Sequence, residues 1–232
     1  MRTSTKWKLA YAALAATDTA LAGSAHPWAH RARFLTKPVL MPVLGASLAT
    51  NPRADGASLR TTTLLGQAAG FGGDVLLLGE GPRSFAAGAG SFGVGHLAYI
   101  AGFARNRDEA PHRGNRAVRV VSGAWAASAP VMALAATRQD RSLGPTVLGY
   151  SAVLSGMVAS AQHLSADLPR SARLLTAAGA GLFLLSDSLL GSRTFLLSDP
   201  PHRLEAAVMA TYTAGQFLIS EGAARSQVLP TG

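Results

Sequence analysis

Eight apolar runs of membrane-spanning length, separated by short polar breaks, constrain this chain more than any other feature. They cover residues 7–24, 34–50, 59–79, 84–104, 117–137, 142–163, 171–191 and 203–221. Each is close to the roughly 17–25 residues a helix needs to cross hydrocarbon. Buried helices of a water-soluble domain carry a polar face at a period of 3.6 residues, and these runs carry little of one. The breaks at His26-Pro27, Asn51-Pro52, Gly81-Pro82, Arg105 to Arg116, Asp167 to Pro169 and Ser198 to Pro201 read as loops. None is long enough for a second domain. The expected fold is an all-α membrane protein, a bundle of about eight transmembrane helices forming one domain over 1–232.

Composition agrees. Charged residues make up 14% of the chain, against about 25% in a typical soluble domain, so much of the surface faces something other than water. There is no cysteine, which removes disulfides, thiol catalysis and Cys-ligated zinc. The first residues have the ingredients of a signal peptide: Arg2, Lys6 and Lys8 precede an apolar stretch, and small residues follow at 22–25. Asp18 interrupts the apolar stretch and further runs follow, so an uncleaved first span is expected.

The net charge of +9 comes mostly from arginine. The arginines sit between apolar runs, without the clustering and interleaved aromatics of a nucleic-acid surface, so no nucleic-acid partner is expected. As loop charges they report orientation. Thirteen basic residues fall on the side of the N-terminus and the even-numbered loops, among them Arg53, Arg60 and the group Arg105, Arg107, Arg113, Arg116 and Arg119. Seven fall on the other side: Arg31, Arg33, Arg83, Arg138, Arg141, Arg193 and Arg203. The excess of cytoplasmic positive charge places the N-terminus in the cytoplasm of a multi-pass cell-membrane protein.

An ionisable side chain at membrane depth costs about 2.5–3.5 kcal/mol on insertion scales, so each one needs a partner or a purpose. The spans hold Asp18, Lys37, Asp74, His96 and Asp187, with Gln67, Gln162, Tyr212 and Gln216 as polar companions; Glu205 and Glu221 lie near span ends, within reach of water. Counting along the spans puts Asp18, Lys37, Asp74 and Asp187 in the same half of the membrane, opposite the N-terminus. One polar cavity would produce that agreement. Asp18 pairing with Lys37 is the simpler alternative for those two. His96 and Tyr99 share a helical face, as do Tyr212 and Gln216. His26 and His30 have metal-ligand spacing but sit in a loop with no third ligand, so neither a metal nor another cofactor is expected. Small residues four apart, such as Gly66 with Gly70 and Ala89 with Gly93, suit close helix packing.

Several motifs carry a resemblance. Thr36-Lys37-Pro38 through Pro42, Gly73-Asp74-Val75-Leu76-Leu77, Phe92 through His96 and Tyr99 to Phe103, Gly179 through Phe183 to Ser186-Asp187-Ser188, and the pair Tyr212 and Gln216 occur in one order along the chain. Together they resemble the YhhN-type lysoplasmalogenase family of integral membrane proteins. Gly181 stands where that pattern is looser, and the spans are unusually rich in Ala and Gly. The resemblance implies eight helices and hydrolysis of the vinyl-ether bond of lysoplasmalogens, a lysophospholipid substrate, to a fatty aldehyde and a glycerophospho-alcohol. Vinyl-ether hydrolysis needs a proton donor and a group to stabilise the resulting cation. Asp74 and Asp187 are the candidates for those catalytic roles, with Lys37, His96, Tyr99, Tyr212 and Gln216 as candidate substrate-binding residues. Two other readings use the same residues: a different lipid hydrolase, or a transporter or lipid-binding membrane protein without catalysis. Oligomeric state is not legible in the sequence.

Overall fold

The computed structural model describes residues 1–109 and 115–227; Arg113, counted above as a loop charge, lies outside them. The described residues form eight α-helices and no strand: α1 (Thr3–Ala22), α2 (Pro27–Ala49), α3 (Arg60–Leu76), α4 (Gly81–Arg105), α5 (Arg116–Gln139), α6 (Leu143–Ala161), α7 (Arg170–Phe195) and α8 (His202–Ala223). Each matches one apolar run. The main displacement is at α2, which begins at Pro27 and not near residue 34. Proline suits a first helical position because its fixed φ is already helical and its missing N–H would have no partner there. His30 is therefore a helical residue, not a loop residue, and Arg31 and Arg33 belong to the helix as well. Asn115 starts α5 by accepting the backbone N–H groups of Ala117 and Val118 with its side-chain oxygen.

The helices alternate in direction. At one end Lys8 pairs with Glu221, and Ser58 donates its N–H and its hydroxyl to the carbonyl of Ser226. This gathers the N-terminus, the α2–α3 connection and the end of α8. At the same end the α4–α5 connection meets the α6–α7 connection through Asp108 N–H to the His163 carbonyl, 2.9 Å. At the opposite end Gln139 donates to the carbonyl of Thr194 at 2.8 Å, and Phe85 packs edge-on to Phe195 with ring centroids 5.3 Å apart. The α3–α4, α5–α6 and α7–α8 turns therefore cluster together, away from the N-terminus.

Two hairpins pack closest, α3–α4 and α7–α8, and glycine is what permits it. A Cβ on Gly179 would lie 2.7 Å from the Gly215 carbonyl oxygen, and one on Gly73 would lie 2.4 Å from the Phe92 ring. No side chain fits there without moving the opposing helix or ring.

The interior combines an apolar core with deeply buried polar groups, and the outer faces carry large apolar side chains. Asp18, Gln67, Asp74, His96 and Gln216 are all at most 1% exposed. Leu35, Leu65, Val94, Leu134, Leu148 and Leu174, on six different helices, point outward and are largely exposed. Buried ionisable groups together with exposed large apolar side chains on six helices suit a membrane protein. Three helices, α5, α6 and α7, are long and apolar enough to cross a membrane by length and composition. The other five dilute that signal with inward-facing polar residues or with Gly, Ala and Ser.

Candidate active site

A cavity of about 390 Å³ sits between α2, α3, α4, α7 and α8 and opens among the turns at the end away from the N-terminus. Lys37, Asp74, Asp187 and Tyr212 line it, together with Phe92, Ser186, Arg33, Arg193 and Glu205. These side chains converge because of helical spacing. Arg33 and Lys37 are one turn apart on α2, and Glu205, Val208, Met209 and Tyr212 follow one face of α8. Pro38, next to Lys37, has no N–H, so the carbonyl of Phe34 loses its usual helical donor.

The two carboxyls have different surroundings. Asp74 is buried on α3; its Oδ2 accepts the hydroxyl of Tyr212 at 2.8 Å, and its Oδ1 lies 3.9 Å from the Lys37 ammonium. Asp187 is half-buried on α7, and its Oδ2 accepts the hydroxyl of Tyr150 from α6. Among the described residues no basic side chain is within ion-pair distance of Asp187. Asp74 thus carries a counter-charge and Asp187 does not.

His96, Tyr99 and Gln216 stand behind the cavity wall, not on it, which corrects their expected position. His96 Nε2 lies 3.1 Å from the Tyr150 hydroxyl. With hydrogen on Nε2, His96 donates to the Tyr150 oxygen while Tyr150 donates to Asp187. Nδ1 of His96 is buried without a partner among the described residues, and its ring packs edge-on to Phe183 at 4.7 Å. Tyr99 donates to Gln216 Oε1 at 2.8 Å, a buried bond joining α4 to α8. The ring of Tyr212 meets Phe92 and Phe183 edge-to-face at 5.8 and 5.5 Å. Gln67, deeper in the bundle, has neither amide atom paired among the described residues.

Other pairings also differ from expectation. Asp18 meets Arg33, at 3.4 Å, and the hydroxyl of Thr36, at 2.6 Å, in place of Lys37. Arg33, expected as a loop charge, is buried. Glu205, expected at the water interface, bridges Arg33 and Arg193. Gln162 caps the end of α6, and its amide donates to the Ala177 carbonyl at 3.3 Å. Arg33, Arg193, Glu205 and Tyr150 went unrecognised as site residues in the sequence. The four-residue spacing of Arg33 to Lys37 is the one signal that could have found Arg33. Asp140, in the α5–α6 turn at the cavity rim, accepts the N–H and hydroxyl of Ser142 at 2.8 and 2.6 Å, and these donors hold its carboxyl below the usual carboxylate range. Among the described residues no three His, Asp or Glu side chains are grouped to hold a metal ion.

The arrangement can deliver a proton from one carboxyl and hold negative charge at another, within one pocket open at a polar end. No curated protein and no solved structure matches the chain. A model of the YhhN family matches residues 32–223, a stretch that contains every cavity residue named above from Arg33 to Tyr212. The chain belongs to the YhhN family.

Proposed function

We propose that this protein is a membrane-embedded hydrolase of the lysoplasmalogenase type, cleaving the vinyl-ether bond of a lysophospholipid. The observation that carries the reading is the pairing of two unlike carboxyls, Asp74 and Asp187, on the wall of one cavity. Vinyl ethers hydrolyse by protonation of the carbon β to oxygen, which leaves an oxocarbenium ion for water to capture. Among the described residues Asp187 has no counter-charge and its second oxygen takes no hydrogen bond, so it is assigned as the proton donor. Asp74, which faces the Lys37 ammonium, is the carboxylate that stabilises the oxocarbenium ion and takes a proton from the attacking water. The hemiacetal then collapses: the Asp187 carboxylate removes its hydroxyl proton, and Asp74 returns a proton to the departing glycerol oxygen. Fatty aldehyde and glycerophospho-alcohol leave, and both carboxyls are reset. Tyr150 and Tyr212 orient the two carboxyls, and His96 orients Tyr150.

All eight helices cross the membrane in this reading, with the N-terminus in the cytoplasm and the cavity opening toward the outer leaflet. The large apolar side chains exposed on six of the helices support the spanning. Arg33 and Arg193 strengthen the charge argument, because both are engaged inside the cavity and leave fewer free loop charges at that end. Purified protein in detergent should release aldehyde from an alkenyl-lysophospholipid. Asp74→Asn and Asp187→Asn should each abolish release while the helical signal and monodispersity persist. Full activity in both variants sinks the proposal. A panel of ester, amide and alkyl-ether lysolipids, with products identified by mass, separates this chemistry from another lipid hydrolase.

A further inference from the structure

We propose that Arg33 and Arg193 form a phosphate-binding pole at the open end of the cavity, which holds the headgroup phosphate of a lysolipid. The inference rests on the reaction proposed above, and it fixes the direction in which the substrate enters. The two guanidinium groups come from different helices and meet on one acceptor. Arg33 Nη1 and Arg193 Nη2 both donate to the Glu205 carboxylate, the latter at 2.8 Å. Arg33, Arg193 and Glu205 all line the cavity that also contains Asp74 and Asp187.

Helix direction sets their level. α7 runs toward the open end, so Arg193 lies six residues beyond Asp187, roughly 9 Å at 1.5 Å per residue. α2 runs inward from that end, so Arg33 lies one turn outside Lys37. α8 also runs inward, which places Glu205 seven residues outside Tyr212, or roughly 10 Å. Three helices thus bring the Arg–Glu–Arg group to one layer, a turn or two nearer the opening than the carboxyls. That offset suits the glycerol unit separating a phosphate from an ether oxygen at the far carbon. The phosphate would sit at the mouth, the vinyl ether beside Asp74 and Asp187, and the alkyl chain against apolar wall residues such as Phe92 and Met209.

The charges at this level permit the exchange. Asp18 is fully buried and committed to Arg33 and Thr36. Glu205 is the acid shared by both arginines, and its side chain is 25% exposed. It can swing into water when an oxyanion arrives. Arg193 keeps a buried Nε without a partner among the described residues, so it has donor capacity beyond Glu205. The Glu205 carboxylate marks the place a phosphate would take, because planar guanidinium groups bind carboxylate and phosphate oxygens in the same fork geometry.

The alternative is that the group only clamps the ends of α2, α7 and α8. Binding of two saturated ligands separates the readings: a 1-O-alkyl lysophospholipid, which has no double bond to protonate, and the 1-O-alkylglycerol of equal chain length. The wild-type protein should prefer the phosphate-bearing ligand. Arg193→Gln should lower that preference about tenfold or more, as expected for loss of a charge-assisted hydrogen bond. Glu205→Gln should raise it. Parallel weakening of both ligands in Arg193→Gln, or no change in their ratio, overturns the proposal. Arg33→Lys provides a second variant that keeps the charge facing Asp18 while losing the fork, and it should lower the preference in the same direction. Inorganic phosphate alone identifies the source of the anion: binding as tight as that of the lysolipid would make this a free-phosphate site and overturn the headgroup assignment. The outcomes also stay distinct from the reaction. Discrimination between the saturated ligands without cleavage of a lysoplasmalogen would sink the hydrolase reading alone. Cleavage with an unchanged ligand ratio in Arg193→Gln would sink the headgroup site alone.

Discussion

Replacing Tyr150 with phenylalanine tests the site where its two halves differ most. The Tyr150 hydroxyl is the donor to Asp187 and the acceptor for His96 Nε2. Removing it leaves Asp187 with no hydrogen bond and no cation from the described residues, and frees the carboxyl to rotate. The matching change at Tyr212 is milder, because Asp74 loses a 2.8 Å hydrogen bond but keeps the Lys37 ammonium at 3.9 Å. A hydrogen bond to a charged group contributes about 1.5–3 kcal/mol. Asp187 gains negative charge as it gives up its proton, so the Tyr150 bond strengthens in the transition state, and Tyr150→Phe should reduce kcat by about 10- to 100-fold at about 1.4 kcal/mol per factor of ten. Tyr212→Phe should cost less. The assay is aldehyde release from an alkenyl-lysophospholipid, with kcat and KM determined separately and thermal unfolding followed on the same preparations. KM should change little for Tyr150→Phe, because the phenol does not line the cavity. Wild-type kcat in Tyr150→Phe would refute the reasoning. So would equal losses in both variants, which would show that the Lys37 counter-charge makes no difference.

Two further outcomes follow from packing and topology. Gly179→Ala should lower Tm by several degrees in detergent, because its Cβ would lie 2.7 Å from the Gly215 carbonyl oxygen and overpacking costs about 1–3 kcal/mol. Gly181→Ala, two residues along and with nothing within 4 Å, should leave Tm unchanged; equal effects would show that the α7–α8 contact does not limit stability. The chain has no cysteine, so single cysteines report sidedness without background. Ser198→Cys, in the α7–α8 turn, should react with a membrane-impermeant maleimide in intact cells, and Arg53→Cys should react only after permeabilisation. The reverse pattern would invert the orientation.

The helices were legible in the sequence because spanning length is a property of the chain alone. The shared cavity of Asp74, Asp187 and Lys37 was also legible, since alternation of direction converts position along a run into depth. What failed was the inventory of charges near the run ends. Arg33 and Glu205 each sit within a few residues of a polar break, where a charged side chain normally reaches water. Whether it turns inward depends on the rotation of the helix about its axis, and neighbours in space set that rotation. The start of α2 at Pro27 moved Arg33 a turn and a half inside its helix, enough to face Asp18. Tyr150 was invisible for a related reason. A tyrosine in an apolar run reads as one more large side chain until the helix facing it is known, and that helix supplies Asp187 from 37 residues away.

Glycine connects this packing to the chemistry. Each carboxyl belongs to one of the two tightest hairpins. Asp74 follows Gly73, whose missing side chain lets the Phe92 ring lie against the α3 backbone. Asp187 follows Ser186, whose hydroxyl bonds the Val208 carbonyl at 3.0 Å, two turns from the Gly179–Gly215 contact. Backbones held this close have little freedom to slide, so each hairpin fixes one carboxyl against a partner helix. The cavity lies between the hairpins, where α2 supplies two of the three cations, Arg33 and Lys37, and α6 supplies Tyr150. A site that must keep two carboxyls unlike needs their surroundings to stay separate. Mounting them on different rigid hairpins, one facing the ammonium of α2 and the other the phenol of α6, achieves that separation. The Ala and Gly content that weakens the apolar signal of several runs is the same feature that lets the hairpins close.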